Sequence, residues 1–179
     1  MKLFQFFSLI ILLLATGCSS TPSKELPSQE TVDHVDLQRF MGKWYVIASI
    51  PTSAEKDAVN ATETYTWNAK EERVDIDFRF RQGSASGEEK IIPQKGFIEN
   101  KETNAEWRVQ PFWPLKFAYL IVDLAPDYSD TIIGRPGREN VWVLAREPRM
   151  SDVRYRQLMR KIEAWGYEVK ELKKVPQDW

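Results

Sequence analysis

"RVDIDFRFR", Arg73 to Arg81, alternates Val74, Ile76, Phe78 and Phe80 with Asp75, Asp77, Arg79 and Arg81. Successive side chains of an extended chain point to opposite faces, so this segment reads as a strand with one apolar and one charged face. It covers a core on one side only. Runs of related character recur along the chain, at about 43–50, 60–67, 73–82, 89–98, 105–112, 117–124, 129–134 and 140–146, each bounded by turn residues. Connections such as "NAKEE", "QGSASG", "NKETN" and "RPGREN" are short and polar, as hairpin loops are, and too short for a parallel crossover. The expected fold is all-β, an eight-stranded antiparallel up-and-down meander. Left open, it would have two unpaired edges; closed into a barrel it has none, and its interior has room for one small ligand. A two-sheet sandwich is the alternative that periodicity alone leaves open.

Helical signals flank the strands. In "VDLQRFM", Leu37, Phe40 and Met41 follow Asp36 at one-turn spacing, which predicts a short capped turn before Gly42. In "MSDVRYRQLMRKIEAWGYE", Ser151 is a cap, Tyr155, Leu158, Met159, Ile162 and Trp165 fall on one helical face, and Gly166 ends the run. One C-terminal α-helix is therefore expected after the strands.

The chain has 179 residues, 42% of them hydrophobic and 28% charged, the length and composition of a single globular domain. Its 25 Lys and Arg nearly balance 26 Asp and Glu, so no basic field draws it to nucleic acid. Residues 1–17 of "MKLFQFFSLIILLLATGC" have the layout of a cleaved secretory signal, a lysine before a short apolar run and then small residues; an uncleaved membrane anchor is the alternative. Ala15-Thr16-Gly17-Cys18 resembles the lipobox of bacterial lipoproteins. Cys18 is the only cysteine, so it has no disulfide partner within the chain, and acylation is its expected use. Residues 18–32, polar and serine-rich, read as a tether, and 33–179 as the domain. By analogy with enteric lipoproteins, Ser19 after the cysteine points to the outer membrane.

Gly42-Lys43-Trp44-Tyr45, preceded by a helical turn and opening the first of eight strands, resembles the Gly-x-Trp motif of the lipocalin family. "PDYSDTIIGRPGRENVWVLAREP", Pro126 to Pro148, resembles two further lipocalin motifs, an Asp-Tyr turn before the seventh strand and an arginine closing the eighth. The likeness covers about 35–177. It is strongest to the bacterial lipocalin outer-membrane lipoproteins and their temperature-induced and apolipoprotein D-like relatives. Counting strand ends puts Trp44, the Asp127-Tyr128 turn and Arg146 on one rim. The resemblance implies that this rim is closed, with Gly42 letting the chain turn in and Arg146 lying over the Trp44 ring.

The other rim, formed by loops at about 51–59, 83–88, 112–116 and 135–139, is then the mouth. Strand phase nominates a ligand-binding wall of Val46, Ala48 and Ile50, Tyr65, Val74, Ile76, Phe78 and Phe80, Trp107 and Val109, Tyr119 and Ile121, with Trp142 or its neighbours Val141 and Val143. Phe112, Trp113 and Phe117 of "PFWPLKF" join them from an unusually apolar mouth loop. That loop suits a membrane-facing lip, a contact with a second copy in a homodimer, a ligand gate, or upper core. Apolar walls select apolar cargo. Glu63 and Asp123 share phase with interior residues and would orient a head group, or else mark a phase error. Lys116, Arg135 and Arg138 lie on mouth loops, where cations meet phosphate or carboxylate or are simply solvated.

His34 is the only histidine, and no metal-site, phosphate-loop or nucleophile-elbow motif occurs, so neither a metal site nor a cofactor is expected. An isomerase-like activity would have only Glu63 or Asp123 as acid or base. The expected function is non-enzymatic: binding and storing or moving an amphipathic lipid, such as a fatty acid or lysophospholipid, from a lipid anchor in the bacterial outer membrane with the domain facing the periplasm. The rival is an envelope interaction protein with a filled barrel.

Overall fold

The computed structural model describes residues 26–179, so the apolar leader, Cys18 and the start of the tether lie outside the described residues. The elements run α1 (Leu37–Phe40), β1 (Gly42–Ile50), β2 (Ala58–Asn68), β3 (Arg73–Gln82), β4 (Glu89–Ile98), β5 (Glu106–Phe112), β6 (Leu115–Leu124), β7 (Asp130–Gly134), β8 (Val141–Ala145), α2 (Asp152–Ala164) and β9 (Lys173–Lys174). Each strand pairs antiparallel with the next, and β1 pairs with both β8 and β2, so eight strands close into a barrel. The sandwich is excluded. Every strand nominated from the sequence is present.

The barrel has two apolar layers. Inside, Phe40, Trp44, Val46, Tyr65, Ile76, Phe78, Phe80, Trp107, Tyr119 and Ile121 form one buried cluster. Outside, Leu158 and Ile162 of α2 pack on Ile47, Ala48, Ile50, Val122, Ile132, Val141 and Val143. This second layer explains why β7 and β8 are buried at every position. One face looks into the barrel and the other lies under the helix, so these strands read as continuous apolar runs rather than as alternation. Ser151 caps α2, its Oγ accepting from the Arg154 N–H at 3.2 Å, and Gly166 takes φ +87° just beyond the helix end.

Two β-bulges correct the strand-phase reading. In β1 the register against β8 shifts between Val46 and Ala48, leaving Ile47 as the extra residue. A one-residue insertion reverses which face each later side chain occupies. Val46 pairs with Leu144 inside, whereas Ala48 and Ile50, expected in phase with Trp44, pair with Val143 and Val141 under α2. Trp142, opposite Ser49, faces in. In β6 the register shifts between Ile121 and Asp123. Asp123 leaves the interior phase and meets Lys161 at 2.6 Å and Arg154 at 3.9 Å, both on α2.

The C-terminal tail adds an unexpected ninth strand. Only Gly42–Tyr45 of β1 pair with β2; further along, β9 pairs with Ala48 and Ser49 instead. Beyond it the Asn60 N–H donates to the Pro176 carbonyl at 2.8 Å, and the Gln177 amide donates to the carbonyls of Val46 at 2.8 Å and Ala61 at 3.1 Å. The tail thus bridges the gap where β1 and β2 part.

Candidate functional site

The site is easiest to build from its floor. Asp36 caps α1 by accepting from the Gln38 and Arg39 N–H groups, and the turn delivers Phe40 into the barrel end. There Phe40 packs against Trp44, Tyr65 and Trp107 with ring centroids 5.1, 5.3 and 5.6 Å apart. The Arg146 guanidinium lies 3.8 Å from the centroid of the Trp44 ring. It also donates to the carbonyls of Lys43, Arg39, Phe40 and Met41 at 2.6–3.1 Å. Gly42 sits at φ +96°, and a Cβ there would stand 3.3 Å from the same guanidinium, so the close turn requires glycine. Asp127 accepts from the Ser129 N–H, and the Tyr128 hydroxyl accepts from the Asp36 N–H at 2.9 Å while Arg39 covers its ring. All five residues nominated for the closed end meet on this rim.

Above the floor lies a cavity of about 520 Å³, open at the opposite rim. Of the nominated wall, Phe78, Val109, Phe112, Phe117, Tyr119 and Trp142 line it. Val46, Tyr65, Ile76, Phe80, Trp107 and Ile121 are interior but belong to the packed layer around and below it. Trp113 is 85% exposed, on the outer side of the lip, with Phe112 at 59% and Leu115 at 48%. The upper-core reading of that loop fails for these three rings and chains.

The sequence reading passed over several lining residues. Glu55 arrives from the β1–β2 loop, Ile92 and Gln94 from β4, and Asn140 from the β7–β8 loop. Ile92 lies opposite Phe78, so the clear phase of β3 would have identified it. Glu55 and Asn140 carried no comparable signal.

Three polar side chains cluster at the base of the cavity: Glu63, Tyr65 and Tyr119. Glu63, 6% exposed, lies opposite Trp44 at floor level and accepts from the hydroxyls of Tyr65 and Tyr119, the latter at 3.2 Å. The two tyrosine hydroxyls also lie within hydrogen-bond reach of each other, and since each carries one proton, that contact and both bonds to an ionised Glu63 are not made at once. Burial pushes the Glu63 carboxyl up from 4.5 to about 7 despite the Tyr65 hydrogen bond, and the charge of Glu55 adds to the rise. Burial, followed by the nearby Glu63 charge, holds both tyrosine hydroxyls well above 10.0. Glu55 accepts from Trp142 Nε1–H at 2.8 Å and from the Thr52 hydroxyl at 2.9 Å.

At the rim stands Arg135, the one cation among the described residues that line the cavity. Its guanidinium lies 4.8 Å from the Phe117 centroid and 5.4 Å from that of Trp142, and it donates to Asn140 Oδ1 at 2.8 Å. Its Nε–H is buried with no partner among the described residues. The other two nominated cations are elsewhere. Arg138 donates to the carbonyls of Trp165 at the end of α2 and of Pro27, so it ties the helix and tether to the β7–β8 loop. Lys116 covers the Phe97 ring at 3.8 Å and does not line the cavity. Among the described residues no group of three or more His, Cys, Asp or Glu is arranged to hold a metal, and His34 contacts only the Glu102 carbonyl, at 3.2 Å.

Comparison with known proteins agrees with this geometry. A family profile described as a lipocalin-like domain matches residues 35–177. Temperature-induced lipocalin-1 of Arabidopsis thaliana is 30% identical over 172 residues, covering 88% of this chain and 86% of that protein. Outer membrane lipoprotein Blc of Escherichia coli (strain K12) is 25% identical over 163 residues, 87% of this chain and 86% of its own length. Among solved structures, insecticyanin from the tobacco hornworm Manduca sexta superposes with a TM-score of 0.62 at 15% identity, over 86% of this chain and 85% of that one. A barrel closed below by tryptophan and arginine and open above onto a cavity, together with these matches, makes the chain a member of the lipocalin family.

Proposed function

We propose that the protein is a lipid-anchored lipocalin that binds an amphipathic lipid, a fatty acid or lysophospholipid, and stores or moves it in the bacterial envelope without catalysing a reaction on it. Lipocalins are generally binding and transport proteins, and two kinds of relative are named as lipocalins and outer-membrane lipoproteins. The observation that carries the reading is the pairing of an apolar cavity of about 520 Å³ with Arg135 at its rim, the one cation lining it among the described residues. An acyl chain gains from burial against Phe78, Ile92, Val109 and Phe117, while a carboxylate or phosphate stays at the rim beside the guanidinium. The described part of the tether supports the envelope setting. Pro27 accepts from Arg138 in the β7–β8 loop, so the first described residues of the tether lie on the mouth side. An acylated Cys18 would then hold the mouth, with its Phe112 and Trp113 lip, toward the membrane.

Titration of the delipidated protein with dodecanoic acid tests the reading through tryptophan emission, because Trp142 lines the cavity and Trp107 stacks on Tyr119 beside it. A saturable change of about one equivalent is expected. No saturable response to any acyl ligand, together with a stable protein partner recovered on the lip, would replace the carrier by the filled-barrel interaction protein.

A further inference from the structure

The polar cluster at the cavity base has a direction that the lipid reading leaves unused. Both tyrosine hydroxyls go to Glu63 Oε2, while Oε1 has no hydrogen-bond partner among the described residues and the side chain borders the cavity. An anionic head group is unwelcome there. Glu63 lines the cavity at its base, and Arg135 stands at the rim. A fatty acid therefore enters chain first.

From the rim at Ile50 to the floor at Trp44, β1 advances six residues, which at about 3.3 Å each and a tilt of about 40° is a depth of ~15 Å. That is the reach of a chain of roughly a dozen carbons, whose far end then lies against Glu63. A methyl end would cover Oε1 and leave a buried polar atom unmet, at a cost of about tenfold or more in affinity.

We infer that Glu63, held by Tyr65 and Tyr119, is a second polar subsite that hydrogen-bonds an uncharged hydroxyl at the buried end of the lipid, so that hydroxylated chains are preferred to plain ones. This rests on the lipid-binding reading of the same cavity. The carboxyl, raised to about 7, changes its protonation near neutrality: below that range Oε1 belongs to a group that donates, and above it to one that only accepts. A hydroxyl both donates and accepts and is satisfied in either state. A carbonyl only accepts, and an ammonium only donates and must also be stripped of water.

Calorimetric titration of the full delipidated chain with dodecanoic acid, ω-hydroxydodecanoic acid and ω-aminododecanoic acid is decisive. The hydroxy acid binds about tenfold tighter than the plain acid to the wild type. Glu63→Gln, which keeps a donor and an acceptor, retains the preference. Glu63→Met reduces it to about twofold or less by strengthening the plain acid. Should either variant fail to fold by circular dichroism, the wild-type comparison still decides. Saturable binding of plain and hydroxy acids with equal affinity overturns the subsite and leaves the carrier standing. Tighter binding of the amino acid than of the hydroxy acid overturns the neutral-hydroxyl assignment. Binding of none of the three overturns the carrier, and the subsite with it.

Discussion

The two ends of the barrel are built on opposite terms. At the floor, Phe40, Trp44, Tyr65 and Trp107 are fully buried rings in mutual contact, and the Arg146 guanidinium is met by four carbonyls and the Trp44 face. At the mouth, Phe112, Trp113 and Leu115 are exposed, and Arg135 keeps an Nε–H that has no partner among the described residues. Closed packing contributes stability, because each ring leaves water and each donor is met. Exposed apolar surface contributes little to folding and is left free for recognition. The floor should therefore govern unfolding and the mouth binding.

The largest effect tests the floor. Trp44→Ala removes a fully buried ring and uncovers the guanidinium, and should cost about 3–5 kcal/mol in urea unfolding. Arg146→Ala removes a donor from four carbonyls, of which Phe40 O keeps Trp44 Nε1–H, and should cost about 2–4 kcal/mol. Neither should change the rank order of acyl ligands. A switch in ligand preference with an unchanged unfolding midpoint would break the division between the two ends.

Glu63 lies between them and gives the next effect. Its folded value is raised from 4.5 to about 7, so the folded protein holds the proton more tightly than the unfolded chain. The stability this lends is fully present below 4.5 and is lost as pH rises through about 7, a fall of about 3 kcal/mol. Glu63→Gln has no such proton to lose. Subtracting its unfolding free energy from that of the wild type at each pH should isolate the fall between 4.5 and 7. A flat difference curve would mean that the carboxyl is not desolvated by the barrel.

Arg135→Met tests the mouth. It keeps an apolar stem against Phe117 and Trp142 while removing the charge. Affinity for dodecanoic acid should fall about tenfold, and that for the uncharged monoacylglycerol of the same chain should stay within about twofold. Equal losses for both would assign Arg135 to cavity shape rather than head-group binding.

Much of this plan was legible because it rests on short-range signals. The alternation of Val74, Ile76, Phe78 and Phe80 sets the phase of β3 without help from any neighbour, and Ser151 to Gly166 carries its own cap, stripe and stop. Gly42, Trp44 and Arg146 could be placed together by counting strand ends, since an up-and-down barrel alternates its rims. What parity could not supply was the insertion of one residue. Ile47 and Val122 are ordinary β-formers, and nothing local marks them as bulges; they are defined by pairing with β8 and β7. Parity alone therefore puts Ala48 and Ile50 on the wrong face, and for Asp123 it leaves interior site and phase error both open. Arg138 was misread for a related reason, because its partners lie 27 and 111 residues away. The same holds for Gln177, whose bridge between β1 and β2 exists only after the barrel closes.

The smallest stability effect falls on Trp113, and it separates a lip from a core most cleanly. A ring 85% exposed gains little from the fold, so Trp113→Ser should move the unfolding free energy by less than about 0.5 kcal/mol. If the mouth faces a membrane, that same ring would leave water when the protein docks. In a Cys18→Ser form, freed of any acyl anchor, the substitution should weaken partition onto phosphatidylglycerol-containing vesicles by about tenfold, the loss expected for one large aromatic. A variant that partitions as the wild type does would detach Trp113 from the membrane surface. One that loses several kcal/mol of stability would show that the lip packs inward, and the contrast between floor and mouth would fail at its most exposed residue.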